Sequence, residues 1–447
     1  MNSLKTSLVD LKYFIILWLS QSFSALGSAM TNFALVIWSY EQYGSALTTA
    51  LIVICSYAPY VLMSIFAGAL SDRWNKKITM LACDSFAALC TVCVLLLLQM
   101  GKLEIWHIYV LNALNGLMNT VQKPSADVTI SLLTPKEYYQ KVSGMRAFSN
   151  ALTGVLTPVL ATALLSLVGM HAVIWFDLFS FVTAFLCLVL FIKIPEIKYS
   201  DETRETLLKS TKAGLKYLME NRGILDLILF LAGINLIASM YNAALPAMIL
   251  SKDNGGEIGL GIVNACTGIA TLVGSVMVSI LPAPKSRVRV ICNTLLFSMS
   301  TENFFLAFGN SVPLWSIGAV LGWLFIPMMG ANMDVLFRTH IPVEMQGRVY
   351  AARNTLQFFT IPIGYFLGGV LVDQVFEPFM KYQDSWILNA LFGKGKGSGA
   401  AFLFLFLAFA GIGVCLFFIR DRHLWCLEAS PDECVSANSS DFVEITE

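Results

Sequence analysis

The feature that most constrains this chain is a series of apolar runs, each long enough to cross a lipid bilayer. An α-helix needs about 20 mostly apolar residues to span the hydrocarbon core. Such runs occur in two sets of six, separated by one polar interval. The first set lies at roughly 13–38, 46–70, 78–100, 105–133, 147–169 and 172–194, and the second at 223–250, 258–281, 290–308, 313–337, 355–375 and 399–420.

Composition supports lipid as the solvent for these runs. Hydrophobic residues make up 57% of the chain and charged residues 13%, whereas soluble domains carry about 25% charged residues. The sequence therefore predicts an all-α polytopic membrane protein with twelve transmembrane helices in two tandem six-helix halves. Formal net charge is zero and no basic run occurs, so nucleic acid is not an expected partner.

The polar intervals set the predicted domain boundaries. We expect an N-terminal six-helix half at 1–194, a charged and amphipathic central loop at 195–222, and a C-terminal half at 223–422. Residues 423–447 are polar and acidic, which favours a disordered tail. Residues 373–398, with their acidic and glycine-lysine residues, are expected to form a long external loop, with or without a surface-lying helix.

The distribution of basic residues predicts the orientation. If the N-terminus is cytoplasmic, 23 of the 29 lysines and arginines fall on the cytoplasmic side and five fall outside, while Lys123 lies within a span. Cytoplasmic loops carry the excess of basic residues in membrane proteins. We therefore expect a multi-pass protein of the cell membrane with both termini and the central loop in the cytoplasm.

An internal repeat favours the division into two halves. A shift of 207 residues gives nine identities over the 38 positions that begin at Asp127, which then aligns with Asp334. Transporters built from tandem repeats show this kind of internal similarity. The matched charged residues flank the junction of the fourth and fifth spans and its counterpart: Glu137 with Glu344, Lys141 with Arg348, and Arg146 with Arg353.

The most specific local motif ends the second span, in the stretch from Gly68 to Lys77. It resembles the loop motif of the major facilitator superfamily, G-x-x-x-D-R/K-x-G-R/K-R/K, with Asn75 at the second glycine position. The resemblance implies the major facilitator fold and a cytoplasmic gate that operates by alternating access. The alternative role of Lys76 and Lys77 is to fix the membrane topology as cytoplasmic charges. The cytoplasmic gate residues that we assign are Gly68, Asp72, Arg73, Lys76, Lys77, Glu137, Arg146, Glu344, Arg348 and Arg353.

Several strings are similar to the drug-efflux branch of the superfamily that includes bacterial macrolide-efflux proteins. They are Gln21-Ser22, Lys123 to Ala126, Gln346 to Val349 and Val375 to Met380. The fifth span keeps Pro158 but lacks the glycine pattern of drug antiporters, so antiport follows from overall similarity alone.

Ionisable residues inside spans are functional candidates because they are costly in lipid. Asp84 in the third span and Glu302 in the ninth are the proton-coupling candidates, with helix–helix hydrogen bonding as the alternative role. For Asp127 and Asp334, the neighbouring basic residues favour a role in ion pairs of the cytoplasmic gate or scaffold. Asp177 lies near the outer end of the sixth span.

We expect the substrate cavity between the two halves, near the first, fourth, seventh and tenth spans. A hydrophobic cargo would suit side chains that repack easily, whereas ordinary helix packing is the alternative role for each residue. The candidates are Gln21, Asn32, Asn112, Asn115, Asn235, Tyr241, Asn242 and Met328.

The resulting functional hypothesis is a secondary transporter that exports hydrophobic drug-like compounds of macrolide type, driven by the proton gradient. The alternative is the same fold with a metabolite, peptide, siderophore or lipid as cargo. The four histidines are scattered and neither catalytic nor nucleotide-binding motifs occur, so we expect no enzyme activity, no cofactor, no metal and no ATP-driven pumping. The expected partners are a small hydrophobic substrate and the bilayer, with a monomeric protein.

Overall fold

The computed structural model describes residues 11–135, 138–192 and 207–428 of the chain. Within those ranges the side chains at 64–73, 140, 207–213, 343–344, 346–348 and 351 are not described. The described part is helical throughout, with short connections and no strands, as the apolar runs predicted.

The first six long helices alternate in direction. They are α1 (Lys12–Tyr43), α2 (Ala46–Arg73), α3 (Lys76–Gln99), α4 (Ile105–Leu133), α5 (Tyr139–Leu167) and α6 (Met170–Leu190). Asn75 begins α3 by accepting a hydrogen bond from the Ile78 amide. We call this end of the bundle the Asn75 end, and the end where α2 begins, after Gly44, the Ser45 end.

The remaining helices repeat the pattern after an additional short helix, α7. They are α7 (Leu207–Glu220), α8 (Arg222–Ser251), α9 (Gly256–Ile280), α10 (Arg287–Phe308), α11 (Val312–Trp323), α12 (Ile326–His340), α13 (Val343–Phe358), α14 (Thr360–Val370), α15 (Glu377–Tyr382), α16 (Trp386–Phe392), α17 (Ser398–Ile419) and α18 (Arg422–Trp425). A π-helical stretch, Leu371–Phe376, joins α14 to α15.

Ten helical segments among the described residues are long and apolar enough to cross a membrane. The other two of the twelve predicted spans are α4 and α10, which have the length but are more polar. Their polar side chains are tolerable in a membrane only where they face protein or water. Both helices pack against neighbouring helices of the bundle.

The predicted tenth span is not one helix but two. It breaks between Trp323 and Ile326, just before Pro327. Proline lacks an amide proton, so it interrupts the hydrogen-bond ladder and bends the helix there. Gly274 of α9 lies against this break, since an added Cβ would come 1.9 Å from the Leu324 carbonyl oxygen.

The first six helices meet the later ones mainly along two helix pairs, α2 with α14 and α5 with α9. Small residues permit this close approach, as in other membrane helix pairs. A Cβ on Gly268 of α9 would lie 2.9 Å from the Gly154 backbone of α5, and a Cβ on Gly369 would lie 2.6 Å from the Leu47 Cα. The interface is therefore a contact of backbones rather than of long side chains.

Large apolar side chains are exposed along the outside of the bundle. Leu190 and Phe417 are 67% and 70% exposed, which would be unfavourable in water but suits a lipid-facing surface. The lipid-facing surface and the buried core are thus both apolar.

The structure adds detail to two of the predicted segments. The central loop contains the helix α7, and its Tyr217 hydroxyl donates a hydrogen bond to the His340 carbonyl (2.9 Å). The chain after Asp421 is ordered through Glu428, whose carboxylate accepts hydrogen bonds from the Val288 amide and the Ser286 hydroxyl, both at 2.6 Å. This carboxylate supplies acceptors for the free amides at the start of α10, a role that the acidic composition did not reveal. The rest of the predicted tail, 429–447, lies outside the described residues.

Candidate transport cavity

A polar cavity of about 470 Å³ lies inside the first six helices. Helices α1, α3, α4 and α6 form its walls, with Ser56 from α2. Its volume falls within the range of pockets that hold small organic ligands. The polar side chains that line it are Gln21, Ser24, Ser28, Thr31, Asn32, Ser56, Asp84, Thr91, Asn112, Asn115, Asn119, Gln122, Lys123 and Asp177.

Asp84 of α3 is the first of two carboxylates in this cavity. Its side chain is buried. Gln21 of α1 donates a hydrogen bond to it (Nε2–Oδ2, 3.2 Å), and Gln122 of α4 donates to the other oxygen. Three helices therefore converge on this carboxyl group, and two neutral amides, rather than a cation, hold it. Such a group can gain or lose a proton without breaking an ion pair.

Asp177 of α6 is the second carboxylate, and the sequence analysis did not include it among the site residues. It is buried and accepts hydrogen bonds from the hydroxyls of Ser28 (3.0 Å) and Thr91 (3.2 Å). Gly27 lets α1 approach α6 here, because an added Cβ would lie 2.2 Å from the Ser180 hydroxyl. The signal was present in the sequence, since an aspartate inside an apolar run is rare without a function.

Lys123 also lines the cavity and was not assigned a role. Its ammonium group lies 4.4 Å from the ring centroid of Tyr60 in α2. A cation over an aromatic face is stabilised by the ring's electrostatics, which matters most away from water. The first half thus places one cation and two carboxylates around one polar space.

Four of the predicted cavity residues are brought together. Gln21, Asn32, Asn112 and Asn115 all line the cavity. Asn112 uses its amide donor on the Ile108 carbonyl of its own helix (2.9 Å). Its oxygen and the Asn115 side chain remain on the cavity wall.

The other four candidates lie apart from this cavity. Asn235 donates to the Gln357 carbonyl (3.2 Å) and so joins α8 to α13. Tyr241 is buried with its ring 5.5 Å from that of Phe404. Asn242 is exposed and Met328 is half-buried. The described structure does not gather these residues into the cavity of the first half.

Glu302, the other coupling candidate, lies in a different environment from Asp84. It is buried and accepts a hydrogen bond from the Trp323 indole (Nε1–Oε1, 2.9 Å). Gly322 lies against it so closely that an added Cβ would come 2.6 Å from Oε2. This geometry matches the alternative role, a hydrogen bond between the packed helices α10 and α11.

The predicted gate residues are described only in part. The surroundings of Gly68, the side chains of Asp72, Arg73, Glu344 and Arg348, and all of Glu137 lie outside the described part of the chain. Lys76 is buried. Arg146 forms an ion pair with Asp127 (2.6 Å) between α5 and α4. Arg353, its repeat counterpart, instead donates to Gln357 (3.0 Å) and lies 4.4 Å from the Phe337 ring.

Lys77 has a role that the motif alone did not specify. Its ammonium donates to the carbonyl oxygens of Val189 (3.1 Å), in the last turn of α6, and of Ile192 (2.7 Å), just after that helix. The final carbonyls of a helix lack intrahelical partners, and a cation there also meets the negative end of the helix dipole. Lys77 therefore ties the α2–α3 connection to the end of α6.

Lys77→Met is expected to lower the free energy of unfolding by about 1 kcal/mol, because it removes a charge at a helix C-terminus and two hydrogen bonds. Thermal unfolding of the purified protein in detergent measures the loss. Lys285→Met is the control, since Lys285 is an exposed lysine at the same Asn75 end. Equal melting temperatures for the two variants would contradict the assigned contact.

The bundle and its internal polar cavity are features of a polytopic membrane transporter, and comparisons with known proteins agree. The family model of the Major Facilitator Superfamily matches residues 17–364. The chain therefore belongs to this superfamily and is a transporter rather than an enzyme.

Individual relatives are distant. The chain is 20% identical to macrolide efflux protein A of Streptococcus pyogenes, over 82% of this chain and 90% of that protein. It is 23% identical to the enterobactin exporter of Citrobacter koseri, over 63% and 66%. A bacterial homologue of the iron transporter ferroportin, solved in an inward-facing state, superposes with a TM-score of 0.67 at 17% identity and covers 94% of this chain and 99% of that one.

Proposed function

We propose that this transporter exports hydrophobic drug-like compounds of macrolide type by alternating access, in exchange for protons. The observation that carries the proposal is the cavity around Asp84, a polar space that contains a buried, protonatable group. A carboxyl group buried inside a membrane protein is costly, and such groups commonly mark transport pathways.

The cavity wall supports a largely apolar cargo with a few polar groups. Apolar side chains such as Leu35, Val94, Met118 and Phe181 alternate with the amides and hydroxyls. Pockets for small organic ligands combine apolar walls with a small number of polar groups, and methionine adapts to different shapes. The similarity to a macrolide efflux protein supports the same class of cargo.

Proton coupling is proposed for Asp84 rather than Glu302. Asp84 borders the cavity and is held by two amides that can remain in place when it is protonated or ionised. Glu302 is enclosed by Trp323 and Gly322. The proton gradient would be the only energy source, with no cofactor.

The proposed orientation places the Asn75 end in the cytoplasm of a cell-membrane protein. The lysines at the Ser45 end are few: Lys102, Lys252, Lys381, Lys394 and Lys396. The basic clusters near Lys76, Lys285 and Arg420 lie at the opposite end, where the positive-inside rule places the cytoplasm.

Expression in a bacterium that lacks its major efflux pumps tests the cargo. We expect lower susceptibility to macrolides than in cells with an empty vector or with an equally expressed Asp84→Asn variant. Unchanged susceptibility across macrolides and other drug classes, with the protein present in the membrane, would contradict drug export.

A siderophore is the second candidate cargo, because the chain is also similar to an enterobactin exporter. Secretion of a catecholate siderophore by a strain without its own exporter tests this alternative. Restored secretion together with unchanged drug susceptibility would replace the first proposal.

A further inference from the structure

At the Ser45 end, a side chain from the second half caps a helix of the first. Asp373 accepts hydrogen bonds from the backbone amides of Ala46 (3.0 Å) and Leu47 (2.9 Å) and from the Ser45 hydroxyl (2.6 Å). These amides begin α2 and have no partner within that helix. A carboxylate there also meets the positive end of the helix dipole.

The position of Asp373 in its own helix favours this contact. Residue 373 falls where the predicted eleventh span (355–375) overlaps the expected external loop (373–398). In the structure it lies in the π-helical stretch Leu371–Phe376, within a helix that continues to Tyr382. One turn earlier, Gly369 leaves room for Leu47, so the backbones of α14 and α2 touch. A π-helical turn rotates the side chains that follow it, and such turns are frequent at functional sites.

Two further contacts join the halves at the same end. The Tyr40 hydroxyl shares a hydrogen bond with the Ser251 hydroxyl (2.6 Å). The Lys396 ammonium lies 5.3 Å from the Tyr40 ring centroid and beside Gly44, whose left-handed φ of 59° ends α1. Glu377 holds the loop that carries Lys396 by accepting from the Gly397 amide (2.9 Å).

Of these contacts, the one made by Asp373 involves a charged carboxylate that accepts three hydrogen bonds. Charge-assisted hydrogen bonds are about twice as strong as neutral ones. Separation of the halves at the Ser45 end would expose two α2 amides and break all three bonds at once.

We propose that Asp373 is the latch that closes the Ser45 end of the transport path, and that it releases α2 when this end opens. The inference rests on the proposed alternating-access function, in which the two halves rock against each other. Asp373 touches no cargo; it is a positioning residue that sets the balance between the closed and open states of this end.

Distance measurement between two spin labels tests the latch without any substrate. The labels are placed at Lys102→Cys and Asp384→Cys, both exposed at the Ser45 end and in different halves, in a background without native cysteines. Asp373→Ala is expected to raise the ratio of long to short distances about fivefold or more, the size of effect expected for a lost helix cap. Asp373→Asn should have a smaller effect, because its amide oxygen can still accept.

Asp253→Asn is the matched control, since Asp253 is an exposed carboxylate at the same end of the same half. Its distance distribution should equal that of the otherwise native protein. If Asp373→Ala elutes as a folded protein with a lower melting temperature but an unchanged distance distribution, Asp373 only stabilises α2 and the latch is refuted.

The measurement separates this inference from the proposed function. A shifted distribution in a protein that transports no drug would support the latch and contradict the cargo. Drug transport together with an unchanged distance distribution would support the cargo and refute the latch.

Discussion

Asp84→Asn is expected to reduce proton-coupled transport to background while the protein remains folded. Asparagine is nearly isosteric with aspartate and can keep a contact with Gln21, but it cannot exchange a proton. Inside-out vesicles that carry the variant should show no substrate-dependent dissipation of the pH gradient. Exchange of labelled for unlabelled substrate across the membrane, which needs no net proton movement, should persist.

Glu302→Gln is the matched control for this experiment. The glutamine oxygen can still accept the hydrogen bond from the Trp323 indole, so coupled transport should remain within a few-fold of the unsubstituted protein, as for a replaced neutral hydrogen bond. Loss of coupling in Glu302→Gln, with coupling retained in Asp84→Asn, would move the proton site to the second half.

Gly116→Ala is expected to lower the free energy of unfolding by about 3 kcal/mol or more, because overpacking against backbone cannot be relieved by a side-chain rotation. Gly116 lies where α4 crosses α2, and an added Cβ would come 2.1 Å from the Ser56 carbonyl oxygen. Thermal unfolding in detergent and the yield of folded protein measure the effect. Ser56 lines the cavity, so the variant should also alter cargo affinity.

Gly144→Ala provides the control for this substitution. Gly144 is also inside a helix, α5, but an added Cβ would meet nothing within 4 Å. Alanine in an exposed helix position is about 1 kcal/mol more favourable than glycine, so the melting temperature should stay equal or rise. A similar fall in both variants would show that the Ser56 contact is not the cause.

The sequence predicted where the helices lie better than it predicted the breaks and irregular turns within them. Runs of about 20 apolar residues identify spans because lipid leaves the backbone few alternatives. The break before Pro327 and the π-helical stretch at Leu371–Phe376 were missed, because hydropathy reports the length of an apolar run and not its hydrogen-bond register. Asp373 was placed at the overlap of the eleventh span and the external loop, and its charge did not reveal that it accepts hydrogen bonds at a helix end in the other half.

The cavity lies inside the first six helices, whereas the sequence analysis expected a cavity between the two halves, and the candidates that line it all belong to the first half. Gln21, Asn112 and Asp84 are polar residues in apolar runs, and they line one space. Asn235 and Asn242 have the same sequence signature but point elsewhere. In a membrane bundle the lipid-facing and the buried surfaces are both apolar, so hydropathy alone does not fix the rotation of a helix about its axis.

The break between α11 and α12 is supported from outside by α9. Gly274 of α9 lies against the Leu324 carbonyl, while Gly268, less than two turns away on the same helix, lies against the α5 backbone. Helix α9 therefore contacts both the α5 backbone and the break between α11 and α12. Any displacement of α9 along α5 would also displace the contact that supports this break.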